Sequence, residues 1–360
     1  MARFRSVLAS GVIGLGALSF ASAAFAAASY VDARTGNDSG TGSGACPITA
    51  PCATLNYALS QQATDGQIII LNGGKFGPVI LDSSFSITGT DPNSWVSLVA
   101  TTPGSGVVGC IGATAASTCH GHANNGFALE IAAGATDAVK VAWISMQMGS
   151  NGGIGALKLS SGGQIQIAHD IFRGNGAATT PMILLAPNNP GTTQSQVYFS
   201  NSDVGFNNGS STNSGAVLVQ PIGTTSFKLH FNHVEVHNAS FGIRTDGSSL
   251  SSGAVVASFI SESEFFSFPN AAVNAFSTAG TGTVNAVFDF TRILNAGVAL
   301  KANGPQSIVI LTNNTVGGNT IGVQQSGGAS VLTSGNNTIT GNGPSNNQNV
   351  QGTLTAAPLQ

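Results

Sequence analysis

Asn313-Asn314-Thr315-Val316-Gly317-Gly318-Asn319 and Asn336-Asn337-Thr338-Ile339-Thr340-Gly341-Asn342 stand 23 residues apart and share one rhythm of asparagine, short apolar run and glycine. Each follows an apolar stretch, Ile308 to Leu311 before the first and Val331-Leu332 before the second. Similar strand-then-turn segments occur upstream, over 165–175, 197–208, 227–238, 259–268 and 288–295. Matching Ile171, Val204, Val234, Phe265, Arg292, Thr315 and Thr338 gives steps of 33, 30, 31, 27, 23 and 23 residues. The runs are short, alternate apolar with polar, and are punctuated by Gly and Asn. No helical period of 3.6 is visible between Gln67 and Gly343. A unit of about 20–35 residues with two or three short strands reads as a β-solenoid, whose coils stack about 4.8 Å apart. Like then stacks on like. Asn175, Asn208, Asn238, Asn319 and Asn342 are expected to bond to one another along the axis. Ile165, Ile167, Val197, Phe199, Leu229, Phe231, Ile308, Ile310 and Ile339 are expected to form stacked apolar columns.

The composition supports this reading. Charged residues make up 7% of the 360-residue chain, glycines number 48, and apolar residues reach 42%. A core can therefore be buried, but long solvated helices lack the Lys, Arg and Glu their outer faces need. Eleven Lys and Arg spread along the chain do not suit phosphate neutralisation, so nucleic acid is not an expected partner. A net charge of −3 argues against charge-driven disorder.

Residues 1–26 read as a signal peptide. Arg3 and Arg5 form the basic start, Val7 to Leu18 the apolar stretch, and Ala24-Phe25-Ala26 the cleavage site. No later stretch is long and apolar enough to span a membrane. The expected location is periplasmic or extracellular. An even set of four cysteines in an exported chain reads as disulfides, with Cys46–Cys52 and Cys110–Cys119 favoured by proximity among three possible pairings. Cys119-His120-Gly121-His122 offers a competing metal reading, weakened by the lack of a second Cys-x-x-Cys pair. The expected organisation is an N-terminal cap over 27–64, a β-helix over 65–343 and a tail or cap over 344–360.

The opening Tyr30-Val31-Asp32-Ala33-Arg34-Thr35-Gly36-Asn37-Asp38-Ser39, followed by Pro51-Cys52-Ala53-Thr54-Leu55-Asn56-Tyr57-Ala58-Leu59, resembles the start of right-handed parallel β-helix proteins of the pectin-lyase-like superfamily. The resemblance implies an all-β right-handed parallel β-helix with a short N-terminal capping helix, and Leu55, Ala58 and Leu59 supply the apolar face for that cap. It does not extend to active-site motifs. Polygalacturonase-like members carry Asn-Thr-Asp, Asp-Asp, Gly-His-Gly and Arg-Ile-Lys, whereas this chain has no Asp-Asp. Its nearest fragments are His120-Gly121-His122 and Arg292-Ile293-Leu294. No Gly-Gly-x-Gly-x-Asp calcium repeat is present. No cofactor is expected, with calcium left open.

Candidate chemistry gathers in Phe231-Asn232-His233-Val234-Glu235-Val236-His237-Asn238. If Val234 and Val236 face the core, alternation puts His233, Glu235 and His237 outside together. The matching above stacks His233 between Asp203 and Glu264, with Asp170 one coil further and Arg173 beside it. Asp170, Asp203, His233, Glu235 and Glu264 are thus the candidate catalytic set. Carboxylates held about 5 Å apart would push their pKa values apart, as acid–base pairs require. Phe266 and Phe268 could supply a stacking surface for a sugar ring. Arg244 with Asp246, and Asp289 with Arg292, read as salt-linked turn residues. Two functions fit: an exported protein that binds or acts on polysaccharide, or a non-enzymatic, adhesin-like surface solenoid. The missing motifs favour the second and the His/Glu patch the first, while acid–His–acid columns also serve as ordinary sheet stabilisers.

Overall fold

The computed structural model describes residues 28–39, 46–62, 66–90, 96–102, 109–110, 125–149, 153–175, 179–189, 194–207, 214–344 and 348–357. The signal segment, Asn208, the 110–119 pairing and the Cys119–His122 cluster lie outside the described residues or their described side chains.

The chain forms a parallel β-helix. Every strand pairing is parallel, and each face of the solenoid is a stack of strands from successive coils. The first face stacks Ile68, Ile87, Val141, Ile167, Phe199, Phe231, Ile260, Phe288 and Leu311 in one inward column. The second stacks Phe76, Leu98, Met146, Phe172, Val204, Val236, Phe265, Ile293 and Val316. The third stacks Leu129, Leu157, Ile183, Val217, Ile243, Val273, Leu300 and Val323. All these side chains are buried, and each contributes about 1.5–3 kcal/mol by leaving water. Strands at both ends join the stack: Ser29–Asp32 lies on Gln67–Asn72, and Val350–Gln351 and Leu354–Ala356 lie on the last coils.

Two left-handed corners bracket the second face. The three residues of its short strand run outward, inward, outward. Two positions before the first of them, φ is positive at Trp143, His169, Asn201, His233, Glu262, Phe290 and Asn313. Three positions after it, φ is positive at Phe206, Asn238, Ser267, Asn295, Gly318 and Gly341. Gly and Asn adopt this region readily and His more often than most residues, whereas Trp and Phe do so at a cost. These single-residue corners turn the chain without breaking the hydrogen-bonded ladder, so Ser195–Asn207 and Phe227–Ala239 each run 13 residues across a bend.

Asparagine ladders reinforce the corners. Asn314 Oδ1 accepts the Thr291 N–H at 3.0 Å, and Asn337 Oδ1 accepts the Asn314 N–H at 2.9 Å. A second ladder links Ala296, Asn319 and Asn342 at 2.8 and 3.1 Å. Asn238 instead bonds its neighbour His237 at 2.9 Å.

The capping helix spans Leu55–Gln61, with Thr54 accepting the Tyr57 N–H as N-cap and Leu55, Ala58 and Leu59 buried, as expected. Cys46 and Cys52 are bridged. Among the described residues no helix is long and apolar enough to cross a membrane.

The core differs from expectation on two strands, Ile339 stacking on Val316 but remaining only partly buried. In Ser307–Thr312 the buried residues are Val309 and Leu311, while Ile308 and Ile310 face outward and are half-buried. Four consecutive apolar residues give alternation no phase. The 23-residue match, which pairs Arg292 with Thr315 and Thr315 with Thr338, is the true register.

Candidate functional site

The outward column of the second face runs Ser145, Ile171, Asp203, Glu235, Glu264, Arg292, Thr315 and Thr338. Three carboxylates from successive coils therefore adjoin, and it is Glu235, not His233, that stands between Asp203 and Glu264. The expected register is off by one residue at Val204, Val234 and Phe265.

His233 occupies the left-handed corner, with φ 54°. There it leaves the alternation and stands outside the column. Its Nε2 lies 2.9 Å from Glu262 Oε2 and its Nδ1 2.8 Å from Asn232 Oδ1. Asp170 borders the same groove as Asp203, His233 and Glu235 but stands outside the outward column. It precedes Ile171 and points inward, fully buried, with Oδ1 accepting the Ile144 N–H at 2.6 Å. Oδ2 has no partner. Burial pushes its carboxyl well above the usual range, against the lowering effect of the Ile144 and Ala168 N–H groups. Asp289 receives the Asn313 amide at 2.9 Å, and Arg292 pairs with Glu264 at 3.2 Å, so the expected Asp289–Arg292 link is replaced. Arg244 and Asp246 pair at 3.0 Å as expected.

Asp203 is the organising group. Arg173, from the coil before, donates Nη1 to Oδ1 and Nη2 to Oδ2, both at 2.7 Å. His237, from the coil after, places Nε2 2.9 Å from Oδ1. Such a fork-to-carboxylate pair is among the stronger polar contacts. Partial burial raises the Asp203 pKa, but the Arg173 and His237 hydrogen bonds outweigh it and hold the carboxyl down at about 2. The expected mutual upward push between carboxylates is thus overridden at Asp203.

Glycine makes this convergence possible. In the next outward column Gly205 pairs with Arg173 on one side and His237 on the other. A Cβ at Gly205 would lie 2.5 Å from His237 Cε1. The missing side chain lets the imidazole lie down over the preceding coil and reach Asp203. Phe266 stacks on the ring at 5.0 Å and Phe206 meets it edge-on at 5.0 Å. His237 is therefore covered rather than exposed, with 6% of its side chain accessible. Phe266 is spent on this stack, and Phe268 is buried, so neither offers a free face to a sugar ring.

The two ends of the acidic column are neutralised by Arg173 and Arg292. Glu235, in the middle, is half exposed, and among the described residues the one ion pair it approaches is with His237 Nε2, at 3.9 Å. It is the open carboxylate of the site. Beside it runs a groove of about 700 Å³. Ser145, Ile171, Asp203 and Glu235 line its length, with Gln147 and Arg173 on one side and Trp143, His169, Asn201 and His233 on the corner side. Trp143 and His169 stack at 4.0 Å and nearly parallel. Alternation alone missed this aromatic corner. The signal for it is positional: Trp143 and His169 stand two residues before an outward residue, as Asn201 and Asn313 do.

Among the described residues no three His, Cys, Asp or Glu side chains group as a metal site. No family model matches the chain, and no curated protein does. Among solved structures, the crystal structure of pectate lyase Pel9A is similar, with a TM-score of 0.54 and 12% identity over 88% of this chain and 80% of that one. At that identity the likeness is one of fold, and the shared fold is the parallel β-helix.

Proposed function

We propose that the protein is exported and binds an extended polysaccharide along the groove beside Glu235. The observation that carries the reading is one open carboxylate flanked by an Arg173–Asp203–His237 cluster and an aromatic corner, on a chain that is otherwise almost uncharged. A strand stack repeating about every 4.8 Å offers equivalent positions to a polymer at regular intervals. Trp143 supplies a ring edge and an apolar surface, and Glu235, Asn201 and His233 supply hydrogen-bonding groups for hydroxyls. The disulfide near the N-terminus and the expected signal peptide support export.

Binding without turnover is favoured by one feature. Asp203 has both oxygens engaged, so it serves as an organiser of His237 and not as a free acid or base. Glu235, with His237 beside it, is the group placed for proton transfer.

The test is a panel of neutral and acidic polysaccharides, read for retention and for new reducing ends or 4,5-unsaturated products. Retention of at least one polysaccharide, weakened at least tenfold in Glu235→Gln with little change in melting temperature, is the expected result. No retention, or retention indifferent to both Glu235→Gln and Trp143→Ala, overturns the reading.

A further inference from the structure

The third face carries a separate groove of about 490 Å³, formed on later coils by Phe241, Arg244, Pro269, Asn274, Gly297 and Lys301 among others. Arg244, Asn274 and Lys301 stand in register on three consecutive coils. With coils about 4.8 Å apart, two cations flank one amide within about 10 Å. Elsewhere the same outward column settles its polar groups internally. Lys158 pairs with Glu130 at 3.1 Å, and Gln324 donates to Gln351 at 3.0 Å.

The central trio does not. Arg244 gives Nη2 to Asp246 at 3.0 Å, but among the described residues its buried Nε has no partner. The buried Oδ1 of Asn274 has none either. Among the described residues Lys301 makes no ion pair. Asp246 also accepts the N–H and O–H of Ser248, so the one acid present balances one of two cations. The groove is left with an excess positive charge, a spare donor and a spare acceptor, beside the apolar walls of Phe241 and Pro269.

Unmet buried polar atoms are costly, and one ligand chemistry fits this wall: an anionic group answers Lys301 and the Arg244 guanidinium, a hydroxyl meets the Asn274 amide, and a ring face covers Phe241 and Pro269. We propose that this groove binds an anionic saccharide unit, its charge supplied by a sulfate or a carboxylate. The site is distinct from the Glu235 groove and does not depend on it.

Binding of a sulfated galactan oligomer, a uronate oligomer and a neutral gluco-oligomer to the full chain would be measured by calorimetry at low and high salt. At least one anionic oligomer is expected to bind tenfold or more tighter than the neutral one, with salt weakening it. Which one does so identifies the anion. Lys301→Gln should remove most of that preference, and Asn274→Ala should weaken binding of the same oligomer, both with unchanged melting temperature and unchanged retention of neutral polysaccharide. Equal binding of charged and neutral oligomers, or an anionic preference that survives Lys301→Gln, overturns the proposal. A failed Glu235→Gln test with a positive Lys301→Gln test would reject the first groove and keep the second.

Discussion

Asp170 and Asn314 hold the same place in their coils. Each directly precedes the first outward residue of the second face, and each accepts a backbone N–H from the coil before, Ile144 for Asp170 at 2.6 Å and Thr291 for Asn314 at 3.0 Å. They differ in the second atom. Asn314 Nδ2 donates to the Phe288 carbonyl at 3.0 Å, whereas Asp170 Oδ2 has no hydrogen-bond partner among the described residues. The ladder position calls for a donor, and a carboxyl provides one only when protonated.

Asp170→Asn should therefore stabilise the protein at neutral pH, by about 1–3 kcal/mol, the usual cost of a buried unsatisfied polar atom. The folded pKa of Asp170 lies above its unfolded value. The stability it contributes is fully present below about 3.9, the usual unfolded value, and is lost as pH rises through the raised folded value. Thermal melts of wild type and variant should separate at pH 8 and converge toward pH 4. A variant no more stable than wild type at pH 8 refutes the ladder assignment.

Arg173→Gln should release Asp203. With the guanidinium gone, the carboxyl should titrate above its value of about 2, seen as an upward shift of the Asp203 carboxyl carbon titration by NMR. The folded pKa is depressed, so the stability of the pair is present above the unfolded value and lost as pH falls through the folded one. The pair is about one-third exposed, so the loss at pH 7 should be no more than about 1 kcal/mol. An unmoved titration would mean that His237 alone holds Asp203.

Gly205→Ala tests the packing that seats His237. The added Cβ meets the imidazole at 2.5 Å, whereas at Gly317, in the same column, it meets only the Thr340 carbonyl at 3.0 Å. Overpacking of this kind costs about 1–3 kcal/mol. Gly205→Ala should lower the melting temperature more than Gly317→Ala and should move the His237 ring resonances away from the ring-current shift imposed by Phe266. Equal melting temperatures for the two variants would show that His237 gives way freely.

Most of the architecture is legible from Asn, Gly and the apolar runs. Arg292, Thr315 and Thr338 fall in true register because both 23-residue coils end in the same Asn–Gly corner. Upstream, the register is Ile171, Asp203, Glu235 and Glu264, with steps of 32, 32 and 29 residues. The apolar anchors Val204, Val234 and Phe265 miss it because residues on either side of an outward position both face inward: Val234 and Val236 are equally buried around Glu235. The same ambiguity misplaced His233. Period-2 reasoning assumes an unbroken strand, and the corner at His233 resets the count. Glu235 and Asp203 remain neighbours because both lie past the corner. His237 reaches Asp203 only because Gly205 has no side chain, a cross-coil relation that spacing along the chain does not reveal.

Phe290, with φ 47°, is 60% exposed and sits in a backbone region unfavourable to bulky side chains. A left-handed non-glycine residue costs roughly 1–2 kcal/mol, and an exposed ring recovers little of that by burial. Phe290→Gly should therefore stabilise the protein, or at least cost nothing, despite removal of a large apolar group. His233→Gly, at φ 54°, should relieve the same strain but also lose the contacts to Glu262 and Asn232, leaving the melting temperature nearly unchanged. The two differ in function: His233 borders the Glu235 groove and Phe290 does not. Polysaccharide retention should fall in His233→Gly and persist in Phe290→Gly. Strain retained for use is kept where a ligand needs the side chain. Destabilisation by Phe290→Gly as large as that of a buried phenylalanine, about 3–5 kcal/mol, would show that the ring is held by packing and that the corner stores no strain.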